Sequence, residues 1–168
     1  MRSLARVRRG FEAALAAFCV VLMVSLFVLV IVAIAYRQAG ASLTWYDEVA
    51  TVILAWLTYY GSALAALKRG HLGSPEVMRR IPASIRLPLF VLGETLVVAF
   101  FLVLAWAGLE VVILLEGDRL ISLTWVPVQF TQSVIPIGAG LFVIAQLMSI
   151  PDEWRRLGGE AGLPTEQI

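Results

Sequence analysis

The sequence WYDEVATVILAWLTYYGSALAALKRGHLGSPEVMRRIP occupies residues 45–82. It begins with a tryptophan and the acidic pair Asp47 and Glu48, continues without a charge to Leu67, and ends in a basic cluster around His71, the chain's only histidine. A helix of about 20 apolar residues crosses the roughly 30 Å hydrocarbon core of a bilayer. The segment therefore predicts a transmembrane helix that carries charges of opposite sign at its two ends.

Three further apolar blocks flank this segment in a chain of 168 residues. The composition is 60% hydrophobic and 15% charged, whereas soluble domains are nearer one half and one quarter. Backbone groups in lipid must be hydrogen-bonded within their own segment, so the blocks are predicted to be helices. We expect one all-α membrane domain over residues 1–168, with four transmembrane helices at about 11–36, 47–68, 86–115 and 126–150. The net charge of +1 gives no reason to expect nucleic-acid binding.

The first block has an alternative interpretation as a secretory signal peptide. Basic residues precede it, and Ala33-Ile34-Ala35 resembles a cleavage site. Its uncharged run from Ala13 to Ala35 is longer than the roughly 7–15 residues of a signal-peptide core. The length therefore favours a retained transmembrane helix.

The basic residues predict the orientation of the four helices. All of the 13 Lys and Arg residues except Arg37 and Arg119 lie near the N-terminus, between the second and third blocks, or in the C-terminal tail. The positive-inside rule then predicts that both termini and the middle loop are cytoplasmic. Within this loop, Ser74-Pro75 is a helix-start signal. It predicts a short amphipathic interfacial helix over about residues 74–82, with a solvated loop as the alternative.

Catalytic and metal-binding chemistry has few residues to draw on. A single histidine and a single cysteine, Cys19, exclude a bis-histidine haem, a histidine metal cluster and a C-x-x-C redox pair within one chain. A small membrane enzyme that uses His71 is the least favoured hypothesis. We therefore expect no catalytic, substrate-binding or metal site in this chain.

Two carboxylates in the third block raise the possibility of an ion pathway. Glu94 and Glu110 are 16 residues apart, which separates them by about 24 Å along a helix and by about 160° around it. They cannot form one pair. A self-sufficient, homo-oligomeric small transporter or channel lined by Glu94 or Glu110 nevertheless remains an alternative.

Two faces of the second block, and one of the fourth, are typical of helix–helix contacts. Small residues recur at helical spacing in the second block, a pattern that lets membrane helices approach closely; they are Thr51, Ala55, Thr58, Ser62 and Ala65. Beside them lies an aromatic stripe formed by Trp45, Val52, Trp56, Tyr59 and Ala63. Either face could pack on another protein or within this chain. With the charged ends of the second block, the residues predicted for a subunit or membrane interface are Trp45, Asp47, Glu48, Thr51, Ala55, Trp56, Thr58, Ser62, Arg69, His71, Arg79, Arg80, Gln129 and Gln132.

These features resemble the small membrane subunit, of the DctQ type, of tripartite ATP-independent periplasmic (TRAP) transporters. The resemblance rests on Trp45, Asp47-Glu48, Trp56, Gly61-Ser62-Ala63, the run from Lys68 to Leu72, Ile81-Pro82 and the run from Val134 to Gly138. Thr51 stands where the family often has an arginine, and the acidic residue after His71 is Glu76.

The resemblance implies a non-catalytic scaffold subunit of a sodium-coupled, binding-protein-dependent uptake transporter for a solute such as an organic acid. The implied partners are a large multi-pass permease, which would hold the sodium and the substrate, a periplasmic solute-binding protein and membrane lipids. The implied location is the bacterial cell inner membrane. Asp47 and Glu48 would meet basic groups of a partner or cap the second helix, and Arg69, His71, Arg79 and Arg80 would contact anionic lipid.

Overall fold

The computed structural model describes residues 2–68 and 83–160. Its helices are α1 (Arg2–Gln38), α2 (Tyr46–Lys68), α3 (Ala83–Leu114), α4 (Val128–Gln132) and α5 (Val134–Glu160). Four segments are long and apolar enough to cross a membrane, and α4 together with the first part of α5 forms the fourth of them. The prediction of an all-α protein with four spanning helices is confirmed. The predicted interfacial helix at 74–82 lies outside the described residues.

The fourth span is interrupted at Ser133, one turn before Pro136. Pro127 precedes α4, and the chain turns at Ser133 before α5 begins. Pro136 has no N–H, so the carbonyl of Gln132 lacks the donor that a continuous helix would supply. The hydrogen bond from Ile137 N to Ser133 O, at 3.2 Å, resumes the helical pattern. The interruption of the fourth span thus lies next to the position where proline removes a helical hydrogen bond.

The four spanning helices pack in a row. α1 packs on α2, α2 on α5, and α5 on α3. In the fourth span, formed by α4 and the first part of α5, 39% of the residues in the most apolar stretch are buried. The corresponding shares are 11% in α1, 11% in α2 and 6% in α3. α5 is therefore the central packing element, and the outer helices present most of their apolar surface to the surroundings.

Glycines set how closely the central helices approach. A Cβ at Gly138 would lie 2.6 Å from Cβ of Tyr59 on α2, and a Cβ at Gly108 would lie 2.7 Å from Cγ2 of Ile135 on α5. Both distances are far below the roughly 3.5–4.0 Å of carbon atoms in contact. Only glycine fits at these two crossings, as expected where membrane helices pack backbone to backbone.

A buried hydroxyl joins α5 to the last turn of α2. Ser149 is fully buried, and its single O–H is shared between the carbonyls of Ala66, at 3.0 Å, and Ala145, at 2.9 Å. Ala63, Ala66 and Ala145 are also buried, so small side chains continue the close approach. A hydroxyl in this position satisfies a carbonyl of a neighbouring helix where no water is at hand.

α1 is part of the folded unit through its contacts with α2. The ring of Phe18 meets that of Tyr60 edge to face, with centroids 4.6 Å apart. Near the start of α1, Arg8 donates to the carbonyl of Leu67 at 2.8 Å, which occupies an acceptor that the end of α2 leaves open. α1 begins at Arg2 and so includes basic residues before the span predicted at about 11–36.

Candidate subunit interface

One face of α2 is left uncovered by both of its neighbours. Thr51, Thr58 and Ala65 are exposed, and Ala55 and Ser62 are half-buried. These are the small residues that the helical spacing grouped together, and none of the five is fully buried. The structure therefore brings them together on an outer surface of the molecule. We call this surface the α2 outer face.

The hydroxyls on the α2 outer face are satisfied within their own helix. Thr51 donates to the carbonyl of Asp47 and Thr58 to that of Leu54, both at 2.8 Å, and Ser62 donates to that of Tyr59 at 2.7 Å. A hydroxyl bonded to its own helix can face lipid or protein without an unsatisfied donor. The side chains of this face are thus small and only weakly polar, which suits close packing against another helix.

Trp56, the centre of the predicted aromatic stripe, serves a contact inside the chain. Its indole N–H donates to the carbonyl of Thr131 at 3.1 Å, and its ring lies 5.2 Å from that of Phe130. A buried tryptophan usually pairs its N–H in this way. Trp56 therefore fixes α4 against α2 and is directed away from the α2 outer face.

The two glutamines predicted for the interface, Gln129 and Gln132, have different surroundings. Gln129 donates to the carbonyl of Val112 at 3.2 Å and so joins α4 to α3. Gln132 is half-buried at the end of α4. Of this predicted pair, Gln129 is engaged within the chain.

Glu48 binds a loop that is more than 70 residues away in sequence. Its carboxylate oxygens accept hydrogen bonds from the backbone N–H groups of Ile121, at 3.0 Å, and Ser122, at 2.9 Å. The hydroxyl of Ser122 donates to the carbonyl of Thr44 at 3.4 Å. The acidic side chain predicted to meet a partner or to cap α2 thus ties the α3–α4 connection to the start of α2. Asp47 beside it is exposed, and Trp45 is half-buried.

The α3–α4 connection forms a short hairpin over residues 118–128. Arg119 and Pro127 pair across it, Leu120 N donates to Val126 O at 3.1 Å, and Val128 N donates to Asp118 O at 3.0 Å. The turn into it uses Gly117 at φ +94°, a backbone conformation that side-chain-bearing residues rarely adopt. We call the end of the molecule formed by this hairpin, the last turn of α3 and the first turn of α2 the hairpin end.

The two carboxylates of α3 have separate environments. Glu94 accepts a hydrogen bond from the side-chain amide of Gln146 on α5 at 2.7 Å, and both groups are half-buried. Glu110 is exposed close to the hairpin end. They form no joint site, and among the described residues no three His, Cys, Asp or Glu side chains come together as metal ligands would.

The remaining predicted interface residues, Arg69, His71, Arg79 and Arg80, lie outside the described residues. Two contacts that sequence reasoning missed are Ser149 with the end of α2 and Gln146 with Glu94. A polar residue in an apolar segment is a signal for both, since such groups seek partners in lipid. The partner itself could not be read from spacing along one helix.

Comparison with known proteins adds the identity of the family. Residues 26–156 match the family model described as "Tripartite ATP-independent periplasmic transporters, DctQ component". The matched range covers well over half of the chain and includes α2, α3, α4 and the hairpin. No curated protein matches the chain.

Proposed function

Because this chain belongs to the DctQ family, the membrane component of tripartite ATP-independent periplasmic transporters, we propose that it is the non-catalytic scaffold of a sodium-coupled uptake system. It is a multi-pass inner-membrane protein and a small transporter component. Its family is one of transporter components and not of enzymes, which fits the prediction that it is not an enzyme. In the proposed system a large permease holds the sodium and the solute, an organic acid, and a periplasmic binding protein delivers that solute.

The α2 outer face is the surface that we propose for contact with the large permease. α1 and α3 expose large side chains such as Phe27, Leu96 and Val103, with exposed fractions above one half, and flexible lipid chains cover such surfaces readily. The α2 outer face instead presents Thr58 and Ala65. Small residues let two helix backbones approach closely, which is the main source of packing between helices in a membrane. We therefore propose that a helix of the large permease packs on the α2 outer face.

The orientation completes the proposal. The basic residues favour a cytoplasmic position for the end of α2 that carries Lys68, so the hairpin end would face the periplasm. That position would put Asp47, which is exposed, on the side from which the binding protein approaches. A contact between Asp47 and a basic group of a partner is part of the same proposal.

A self-sufficient channel lined by Glu94 or Glu110 has little support. Glu94 is engaged with Gln146, and Glu110 lies on the outer surface of α3 about 24 Å away along the helix. The family match points instead to a component that works with other chains.

The test of the subunit contact is co-purification with the large permease. Ala65→Phe on the α2 outer face should reduce the amount of permease recovered with the tagged chain, because the added ring holds the partner helix away. Val24→Phe, on the exposed surface of α1, is the matched control and should leave recovery unchanged. Loss of recovery for Val24→Phe alone would assign the contact to α1 and contradict the proposed face.

The test of the function itself uses proteoliposomes with and without this chain. With the permease, this chain and the loaded binding protein present, an inward sodium gradient should drive solute uptake. Omission of this chain should abolish that uptake. Full uptake without it, or sodium-independent uptake, would contradict the proposed function whatever face the permease contacts.

A further inference from the structure

The 118–128 hairpin exposes apolar side chains at its tip. Ile121 is 92% exposed and Trp125 is 75% exposed, and Leu114 at the adjoining end of α3 is 85% exposed. Large apolar side chains that are exposed next to one another form an apolar patch, and such a patch marks an interaction surface. Among the described residues, contacts within the chain leave these three side chains largely exposed.

The tip lies beside the first turn of α2. It is held by Glu48, which belongs to that turn and directly precedes the apolar run that begins at Val49. The hairpin also follows the last residues of α3, which are themselves apolar and exposed. The connection therefore folds back to the ends of two spanning helices, where the boundary of the hydrocarbon core is expected.

Three backbone N–H groups at the tip have acceptors within the chain. The N–H groups of Ile121 and Ser122 are bound by Glu48, and that of Val126 donates to Leu123 O at 2.9 Å. Unsatisfied backbone groups are costly near hydrocarbon. A tryptophan beside such a segment prefers the boundary between lipid and water.

From these three observations we propose that the 118–128 hairpin inserts its tip into the lipid leaflet at the hairpin end, with Ile121 and Trp125 as the inserted side chains. Glu48 is the positioning residue that holds the tip at this depth. The occupant of the exposed apolar surface is thus lipid at the headgroup boundary. This contact is independent of the proposed contact on the α2 outer face.

Spin-label accessibility tests the proposal on the full chain. In a Cys19→Ser background, a nitroxide is attached at Ile121→Cys in nanodiscs of phosphatidylethanolamine and phosphatidylglycerol. Collisions with oxygen, which concentrates in lipid, should exceed collisions with a water-soluble nickel chelate several-fold. A label at Glu116→Cys, exposed in the turn before the hairpin, is the control and should show the reverse.

Two other outcomes would overturn the inference. If the labels at positions 121 and 116 were equally accessible to the nickel chelate, the tip would lie in water and not in lipid. A label at 121 that is aqueous in nanodiscs and becomes protected only when the periplasmic binding protein is added would make the tip a protein-docking surface.

The role of Glu48 has its own readout in the same system. Glu48→Gln keeps the size of the side chain but places an N–H₂ group against one of the two backbone donors. The label at 121 should then become more mobile and more accessible to the nickel chelate, while the label at 116 should not change. An unchanged depth at 121 would show that Glu48 does not hold the tip.

Discussion

Gly138→Ala should weaken the contact between α2 and α5, the central joint of the molecule. The new Cβ would lie 2.6 Å from Cβ of Tyr59, and carbon atoms need about 3.5–4.0 Å. The two helices must therefore separate by about 1 Å at this crossing. Neither atom can move aside, because both are attached directly to helix backbones. Overpacking of this kind costs about 1–3 kcal/mol.

The separation should also reach the hydrogen bond from Trp56 to Thr131. Its length is 3.1 Å, and an added 1 Å would carry it beyond the range of a hydrogen bond. Loss of a neutral hydrogen bond costs a further 0.5–1.5 kcal/mol or so. The expected decrease in the free energy of unfolding for Gly138→Ala is thus about 2–4 kcal/mol.

Reversible unfolding of the chain in mixed dodecylmaltoside and SDS micelles measures this change. Gly140→Ala is the matched control, since it lies on the same helix and nothing stands within 4 Å of its new Cβ. It should be neutral or stabilising by up to about 1 kcal/mol, as expected for glycine replaced by alanine in a helix. Equal stability of the two variants would refute the close approach of α2 and α5 at Gly138.

Three further predictions concern the same packing. Gly108→Ala should lower the free energy of unfolding by about 1–3 kcal/mol, because the new Cβ would meet Ile135 on α5. Gly93→Ala, which has open space around its new Cβ, should not lower it. The same micelle assay compares the two variants. Ser149→Ala removes the buried hydroxyl that joins α5 to α2, and a loss of about 0.5–1.5 kcal/mol is expected in that assay; no loss would mean that the helix ends are held by packing alone. Phe101→Leu removes a ring that lies face to face with that of Phe142 on α5, with centroids 3.6 Å apart. Because this is the less favourable geometry for two rings, the loss should be that of the buried area alone, about 1 kcal/mol. Phe27→Leu on the exposed side of α1 should have little effect, and equal losses for both would argue against a specific ring contact.

Helix existence could be predicted from the sequence because it depends on local chemistry. Four long apolar runs can satisfy their backbone groups in lipid only as helices, and the structure has them. Contacts between helices are not specified in this way. The basic first turns of α1 contact α2 through the hydrogen bond from Arg8 to the carbonyl of Leu67, and no property of the local sequence specifies that contact.

The neighbours of each face could not be predicted from one helix at a time. The spacing grouped Thr51, Thr58 and Ser62 correctly, yet it left open whether α1, α5 or a partner covers them. Trp56 and Glu48 show the same limit. Their types left open a contact with another protein or a role within this chain, and the structure gives each a partner in the fourth span or the hairpin, more than 70 residues later.

The row of helices also has a consequence for how the chain reaches its folded state in the membrane. α1 and α2 are consecutive along the chain and pack on each other, as do α3 and the α4–α5 span. Each pair can form as soon as its second helix has entered the bilayer. The crossing at Gly138 then joins two preformed helical pairs, so a defect there should yield a chain that is fully inserted and oriented but divided into two halves. Such a chain would escape detection by any assay of topology and would fail only in assembly.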